Sequence, residues 1–139
     1  MGSEMCIRDR FKGYEENPTE LLSKTFEEVQ GYNDWVVLDS IRVESYCEHH
    51  LAPIIGVAKV GYLPDGLVVG ISKLVRVVNA YSKRLQIQER LTREIGLAIH
   101  ETLNPKGVAV AIKAEHHCCL LYTSPSPRDL STSRMPSSA

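Results

Sequence analysis

The sequence of 139 residues predicts an α+β fold in which a largely antiparallel sheet packs on helices. Several stretches are short, rich in apolar residues and in part alternate between apolar and polar side chains, as strands with one buried face do. Other stretches repeat apolar residues every third or fourth position, which is the period of an amphipathic helix. The length allows one domain, and 43% hydrophobic with 24% charged residues is typical of a globular chain.

The predicted elements follow in the order helix, three strands, two helices, strand. Asn17-Pro18-Thr19-Glu20 is typical of a helix start, with a capping side chain followed by proline at the first helical position. This helix is expected to end at Gly31, with an apolar face formed by Leu21, Leu22, Phe26 and Val29. Strands are predicted over 35–47, 54–63 and 68–71, helices over 72–82 and 86–103, and a last strand from Val108 onwards.

Charge and hydropathy exclude several classes of protein. Sixteen basic and 17 acidic residues give a net charge of −1, so there is no basic excess to bind nucleic acid. No apolar run approaches the roughly 18 residues of a membrane span, and the first ten residues lack the apolar region of a secretory leader. We therefore expect a cytoplasmic protein with no membrane and no nucleic-acid partner.

Both ends resemble translated sequencing-adapter DNA. CLLYTSPSPRD at 119–129 and SRMPSSA at 133–139 read as adapter, and MGSEMCIRDR at 1–10 reads as the opposite strand of the same adapter. We expect residues 11–118 to be a native domain truncated at both ends, with disordered tails at 1–10 and 119–139. Cys6 and Cys119 then carry no function.

A cysteine and a histidine at metal-ligand spacing follow the first predicted strand. Cys47-Glu48-His49-His50 contains a C-x-x-H pair, which lets one turn present Cys47 and His50 to a single ion. Thiolate sulphur and imidazole nitrogen are the ligands that zinc prefers. This turn is therefore a candidate half of a zinc site.

The last predicted strand ends in Glu115-His116-His117-Cys118. Since side chains alternate across a strand, His116 and Cys118 are expected on the inner face, together with the apolar positions that precede them. This alternation selects Cys118, not Cys119, as a third ligand.

Two cysteines and one histidine are compatible with two kinds of zinc site. Three ligands leave one position for water, as in catalytic sites, whereas His49 or His116 as a fourth ligand would close a structural site. Buried thiols with unrelated surface histidines are a third interpretation.

Two helix starts carry further candidate residues. Ser72, Lys73 and Arg76 suit an anion such as phosphate, although an ordinary cap with solvated charges has the same pattern. Gln88 and Glu89 open the long helix, where a carboxylate can accept two hydrogen bonds from an edge such as that of guanine. A charged helix start is the simpler interpretation of the second group.

The motifs SYCEHHLAPIIG, GYLP, GISKLVRVV, RLQIQERLT and AEHHC resemble, as an ordered set, GTP cyclohydrolase I over nearly all of residues 11–118. The resemblance implies a zinc hydrolase that opens the imidazole ring of GTP, releases formate and forms 7,8-dihydroneopterin triphosphate, the first step of tetrahydrofolate and pterin biosynthesis. The implied zinc ligands are Cys47, His50 and Cys118. The implied catalytic residues are His49, His116 as proton donor, and Ser72 as proton shuttle. Gln88 and Glu89 would hold guanine, and Lys73 and Arg76 the triphosphate.

The same resemblance implies a T-fold whose subunits form a homodecamer with active sites at subunit interfaces. Two alternatives stay open beside this function. One is a zinc-stabilised, pterin-binding T-fold module without turnover, and the other is a related T-fold enzyme of queuosine or biopterin synthesis. Lys73, Arg76 and Glu89 favour GTP as the substrate over both alternatives, because a purely structural zinc site needs no triphosphate-binding residues.

Overall fold

The computed structural model describes residues 2–27 and 33–122, and it confirms the predicted α+β architecture. In chain order the elements are α1 (Gly2–Phe11), a 3-10 turn (Lys12–Tyr14), α2 (Pro18–Leu22), β1 (Thr25–Glu27), β2 (Val36–Cys47), β3 (Pro53–Leu63), β4 (Leu67–Val69), α3 (Ile71–Ser82), β5 (Leu85–Gln86), α4 (Gln88–Leu103), β6 (Gly107–His116) and α5 (His117–Tyr122). A four-stranded sheet in the order β5-β2-β3-β6 is antiparallel except for the short β5, and a separate pair joins β1 to β4.

One face of the sheet is buried under α3 and α4. Alternate positions of β2, β3 and β6, such as Val43, Val60 and Ile112, are almost inaccessible to solvent, whereas their neighbours face outward. The helices add Leu74, Leu91 and other apolar side chains to the same core. Burying each such side chain stabilises the fold by about 1.5–3 kcal/mol, so the periods seen in the sequence correspond to the main source of stability.

The first predicted helix is much shorter than expected. Asn17 caps it as predicted, because its side chain accepts a hydrogen bond from the Thr19 backbone at 3.2 Å, but α2 ends at Leu22. The chain then extends as β1, in which Phe26 pairs with Val68 of β4. The prediction of a continuous helix was wrong because these backbone pairings override the apolar spacing. Val29 and Gly31 lie outside the described residues.

Residues 2–10 were expected to be disordered, but they form most of the helix α1. Glutamate, methionine and arginine in this segment favour helix, and its last turn is anchored to the sheet. The Phe11 ring packs on Tyr46 with ring centroids 5.3 Å apart, and the Arg10 guanidinium lies 5.8 Å from the centre of the same ring. The adapter origin of both ends stays a prediction, and residues 123–139 lie outside the described part of the chain.

The segment between α1 and α2 is fixed to the end of α3 by Arg84. The guanidinium donates to the Gly13 carbonyl at 2.8 Å and lies near the faces of Tyr14 and Tyr81. Gly13 approaches the helix so closely that a β-carbon there would lie 2.0 Å from the Ala80 carbonyl oxygen. This contact fixes the position of β5, which leads into the site described below.

Within the described residues, no helix combines the length and the apolar character needed to cross a bilayer.

Candidate metal centre

Three side chains meet at one end of the four-stranded sheet. Cys47 is the last residue of β2, His50 lies in the turn that follows, and Cys118 lies in α5 after the end of β6. One potential ligand atom of each lies within 4.8 Å of those of the other two. The ligands of one tetrahedral zinc ion are about 3.3–3.8 Å apart, given bonds of about 2.0–2.3 Å. The donor set and its spacing therefore fit a zinc ion after a small contraction.

Two backbone hydrogen bonds close the turn that carries His50. The Cys47 amide donates to the Ala52 carbonyl and the Leu51 amide donates to the Cys47 carbonyl, both at 2.8 Å. Leu51 adopts a φ of 55°, a left-handed conformation that is uncommon for a residue other than glycine. The closed turn directs His50 back towards the Cys47 thiol, which is what the C-x-x-H spacing requires.

Cys118 reaches this group by a different route from the one expected. The sequence placed Cys118 on the last strand, but β6 ends at His116 and Cys118 lies in the first turn of α5. The strand alternation therefore does not extend to Cys118, because a helix begins directly after His116. The preference for Cys118 over Cys119 agrees with the structure, in which Cys119 is exposed and not part of the group.

The Cys118 thiol holds its proton more firmly than an ordinary cysteine does. Burial raises the pKa of Cys118 to about 11, and the neighbouring Cys47 thiol contributes in the same direction. A divalent cation bound by the two thiols would reverse both effects, because it stabilises thiolates and offsets their mutual repulsion. Metal binding at this group would therefore release protons.

His116 lies beside the three-residue group and is fixed by Gln88. The distance between His116 Nε2 and Gln88 Oε1 is 2.7 Å, and Gln88 Nε2 donates to the Ile112 carbonyl at 2.9 Å. Burial lowers the pKa of His116, while the nearby Glu89 carboxylate partly opposes that effect. The Gln88 side chain is buried (3% exposed) and holds His116, whereas Glu89 is exposed.

His49 lies at the edge of the site. Its side chain is 66% exposed, its Nε2 lies 3.8 Å from a Glu48 oxygen, and its ring meets the His50 ring edge-on. It is near the three-residue group without belonging to it.

Ser72, Lys73 and Arg76 lie far from the metal group within one chain. They open α3, whose start is held near Tyr62 because the Tyr62 hydroxyl accepts a hydrogen bond from the Val69 backbone at 3.1 Å. Tyr62 lies eight residues along β3 from Ile54, which pairs with His116, a distance of about 26 Å in an extended strand. A single chain therefore holds the two halves of the predicted site apart.

Two charged residues next to the metal group were given no role from the sequence. Glu48 lies between Cys47 and His50, and its carboxylate forms an ion pair with Arg90 of α4. Glu48 belongs to the motif C-E-H-H, and Arg90 is the last residue of the motif Q-x-Q-E-R, so the two motifs carry opposite charges at these positions. Nothing in the linear sequence shows that these two residues meet.

The sequence is similar to a known protein family and to several named relatives. A family described as GTP cyclohydrolase I matches residues 3–135. The GTP cyclohydrolase 1 of Maricaulis maris is 57% identical over 108 residues, covering 78% of this chain and 53% of that protein. Those of Hyphomonas neptunium and Brucella suis are 57% and 53% identical, each covering 81% of this chain and 55% and 53% of the relative. The chain thus spans about half the length of these relatives.

A solved structure shares the fold. The archaeosine synthase QueF-Like in the apo form is similar with a TM-score of 0.55 and 26% identity, over 60% of this chain and 82% of that one. This likeness agrees with the expected T-fold. With the family match over nearly the whole sequence and relatives above 50% identity, the chain belongs to the GTP cyclohydrolase I family.

Proposed function

We propose that this chain is a zinc-dependent GTP cyclohydrolase that converts GTP and water to 7,8-dihydroneopterin triphosphate and formate. This reaction is the first step of tetrahydrofolate and pterin biosynthesis. The observation that carries the proposal is the convergence of Cys47, His50 and Cys118 within 4.8 Å, with His116 and Glu89 beside them. The names of the relatives support the same activity.

Cys47, His50 and Cys118 would hold the zinc ion. When bound, zinc supplies Lewis acidity and lowers the pKa of water towards about 7, which suits hydrolysis of the purine imidazole ring. The three ligands leave room for a fourth, as a catalytic site requires.

His116 would exchange a proton with the purine. The ring is half-buried beside the metal group, and Gln88 fixes its orientation. A histidine with a pKa lowered by burial is readily deprotonated near neutral pH, so it can accept and return a proton within a single turnover. His49, at the exposed edge of the site, would line the same pocket.

Glu89 would hold the guanine base. A carboxylate accepts two hydrogen bonds, which matches the ring N–H and the exocyclic amine of guanine. The predicted help from Gln88 would be indirect, since its amide engages His116 and the Ile112 carbonyl. Glu89 is the residue that would distinguish GTP from ATP.

Lys73 and Arg76 would bind the triphosphate, and Ser72 would shuttle a proton in the later rearrangement. Within one chain these residues are separated from the metal group by much of the length of β3. We therefore infer a homo-oligomer, a decamer by family resemblance, in which the start of α3 of one subunit completes the metal site of another. A site shared between subunits is compatible with the exposed positions of Ser72 and Arg76.

Two other functions would use the same fold. A zinc-stabilised pterin-binding module would bind metal without producing formate, and a related T-fold enzyme of queuosine or biopterin synthesis would act on a different substrate. Neither requires Glu89 and the two cations at the start of α3 to face GTP.

The proposal is tested by measuring zinc content and product together. We expect the 139-residue chain to bind one zinc per subunit and to release formate from GTP, with a fluorescent pterin after oxidation. Cys47→Ser and Cys118→Ser should lose zinc and activity, whereas Cys119→Ser, the matched control on the next residue, should keep both. Full zinc content in Cys118→Ser would contradict the ligand set, and zinc without formate would favour the non-catalytic module.

A further inference from the structure

We propose that the first turn of α4 is a clamp that positions the metal centre, and that its key contact is the ion pair between Arg90 and Glu48. This inference rests on the proposed function, because the site positioned is the proposed zinc site. It assigns Arg90 and Glu48 a positioning function that neither the motifs nor the similarity to relatives indicates.

Glu48 is well placed to control the turn that carries the ligands. It follows Cys47 directly and precedes His50 by two residues. Its backbone amide donates to the Gln86 carbonyl at 3.2 Å, and its carboxylate accepts a hydrogen bond from the Arg90 guanidinium. Both the main chain and the side chain of Glu48 are thereby fixed to the β5–α4 segment.

The Arg90 side chain is itself held in place, unlike the flexible basic side chain of an ordinary surface ion pair. Its Nε donates to the Gln86 side-chain oxygen at 3.0 Å, and its Nη2 donates to the Leu85 carbonyl at 3.2 Å. Gln86 is 2% exposed, and its own amide donates to Glu94 at 2.8 Å and to the Tyr81 carbonyl at 3.0 Å. Exposed ion pairs contribute little to stability because two mobile side chains must be ordered to form them. Here the Arg90 side chain is already ordered by its hydrogen bonds to Gln86 and Leu85.

The same helical turn holds the other half of the centre. Gln88, two residues before Arg90, binds His116 and the Ile112 carbonyl, and His116 precedes Cys118 by two residues. Glu89 lies between these two anchors. One turn of α4 thus sets the position of the Cys47–His50 turn, of the strand end leading to Cys118, and of the residue proposed to hold guanine.

The physical consequence is preorganisation of the ligands. Removing a residue that hydrogen-bonds to a metal ligand typically changes metal affinity by about 10- to 100-fold. Glu48 and Arg90 act on the turn that carries two ligands, and we expect an effect of the same order. Removing the charge of Arg90 frees the Glu48 carboxylate and leaves the turn to be ordered by the metal itself. The loss should therefore appear in metal binding as well as in catalysis.

The test measures zinc affinity by competition with a chromophoric chelator, in parallel with the melting temperature of the metal-free chain. Arg90→Gln and Glu48→Gln should each weaken zinc binding by about 10- to 100-fold. The double variant should be no weaker than the weaker single variant, because both remove the same contact. Arg90→Lys, which keeps the charge, should restore part of the affinity. Arg93→Gln, on the exposed side one turn later in α4, is the matched control and should bind zinc like the parent.

The outcomes separate this inference from the proposed function. If the parent binds zinc, and Arg90→Gln and Arg90→Lys both bind zinc as tightly as the parent, the clamp is wrong and the proposed function is unaffected. Strictly additive losses in the double variant would also overturn the clamp, because independent residues behave in that way. If the coupled losses occur but the parent releases no formate from GTP, the clamp stands and the proposed activity fails.

Discussion

At the scale of single residues, the hydrogen bonds of Gln88 assign the tautomer of His116. Gln88 Nε2 donates to the Ile112 carbonyl, which can only accept, so Oε1 is the atom that faces His116. An amide oxygen is an acceptor, and His116 Nε2 must therefore carry the hydrogen. The Nδ1 atom of the neutral ring is then the one that can take up and return a proton.

His116→Ala should keep zinc but lose formate release from GTP. The imidazole lies beside the three-ligand group without being needed to complete it, and removing a general acid or base typically slows a reaction by about 10²- to 10⁴-fold. Metal analysis and a formate assay on the same sample test this. Loss of zinc from the variant would instead make His116 a fourth ligand and the site a closed, structural one.

Glu89→Gln should impair the use of GTP without changing zinc content. The carboxylate is expected to accept hydrogen bonds from guanine, and bonds to a charged group contribute about 1.5–3 kcal/mol, or roughly 10- to 100-fold. ATP has an acceptor where guanine has the ring N–H, so the parent should reject it by about 10⁴-fold or more.

Comparison of GTP, ATP and guanosine separates Glu89 from the cations of α3. Lys73→Ala should weaken the binding of GTP and should weaken the binding of guanosine less, because guanosine has no triphosphate. A Glu89→Gln variant that turned over GTP like the parent would remove the base-selecting function and favour the non-catalytic module.

At the scale of secondary structure, the sequence predicted the elements whose periods are set by a single large core. α3, α4, β2, β3 and β6 lie within a few residues of their expected positions, because each buries one face against the others. Three short elements, β1, β5 and α5, were missed for the opposite reason. Each of them spans at most six residues and depends on the neighbour against which it forms.

The candidate site shows the same division. The spacing of Cys47 and His50 is local, so the sequence could identify the pair. Cys118 was chosen from a strand alternation that in the structure ends two residues before it, at His116. The choice agrees with the structure because Cys118, in the first turn of α5, lies close to Cys47. The Glu48–Arg90 contact joins residues 42 positions apart, which no local pattern reports.

One contact between elements should make stability depend on acidity. Lys83, at the end of α3, donates a hydrogen bond to Glu44 of β2 at 2.8 Å, and this bond lowers the pKa of the Glu44 carboxyl. A carboxyl with a lowered pKa contributes stability above its unfolded value of about 4.3. The contribution is lost as the pH falls from there through the lower, folded value.

Glu44→Gln should therefore flatten the acid side of the stability profile. The expected loss near pH 7 is at most about 1 kcal/mol, since the pair is partly exposed, and the variant and parent should converge below about pH 3. Melting temperatures from pH 3 to pH 7 measure this, with Glu101→Gln on the exposed side of α4 as the control. Parallel profiles for Glu44→Gln and the parent would show that the ion pair does not contribute.

At the scale of the whole molecule, the position of α3 determines how the site must be assembled. Its start lies near Tyr62, whereas the metal group lies near Ile54 at the other end of β3. The roughly 26 Å between those two positions of β3 exceeds the span of a triphosphate, so we expect Lys73 and Arg76 to serve the metal group of another chain. A symmetric homo-oligomer offers the alternative, because each start of α3 can face the metal group of a neighbour.

Mixing two impaired variants distinguishes these arrangements. Lys73→Ala damages the triphosphate half and Cys118→Ser the metal half. At a GTP concentration too low to saturate the weakened Lys73→Ala site, each homo-oligomer should release formate far more slowly than the parent. When the two chains are co-expressed in equal amounts and assemble at random, about a quarter of the shared sites receive both intact halves. Formate release should then recover to about a quarter of the parent rate. Cys47→Ser with Cys118→Ser is the control pair, since both damage the same half and no mixed site is intact. Activity no higher than that of the separate variants would show that each site is built from one chain, and the interpretation of α3 as a neighbour's phosphate-binding element would have to be abandoned.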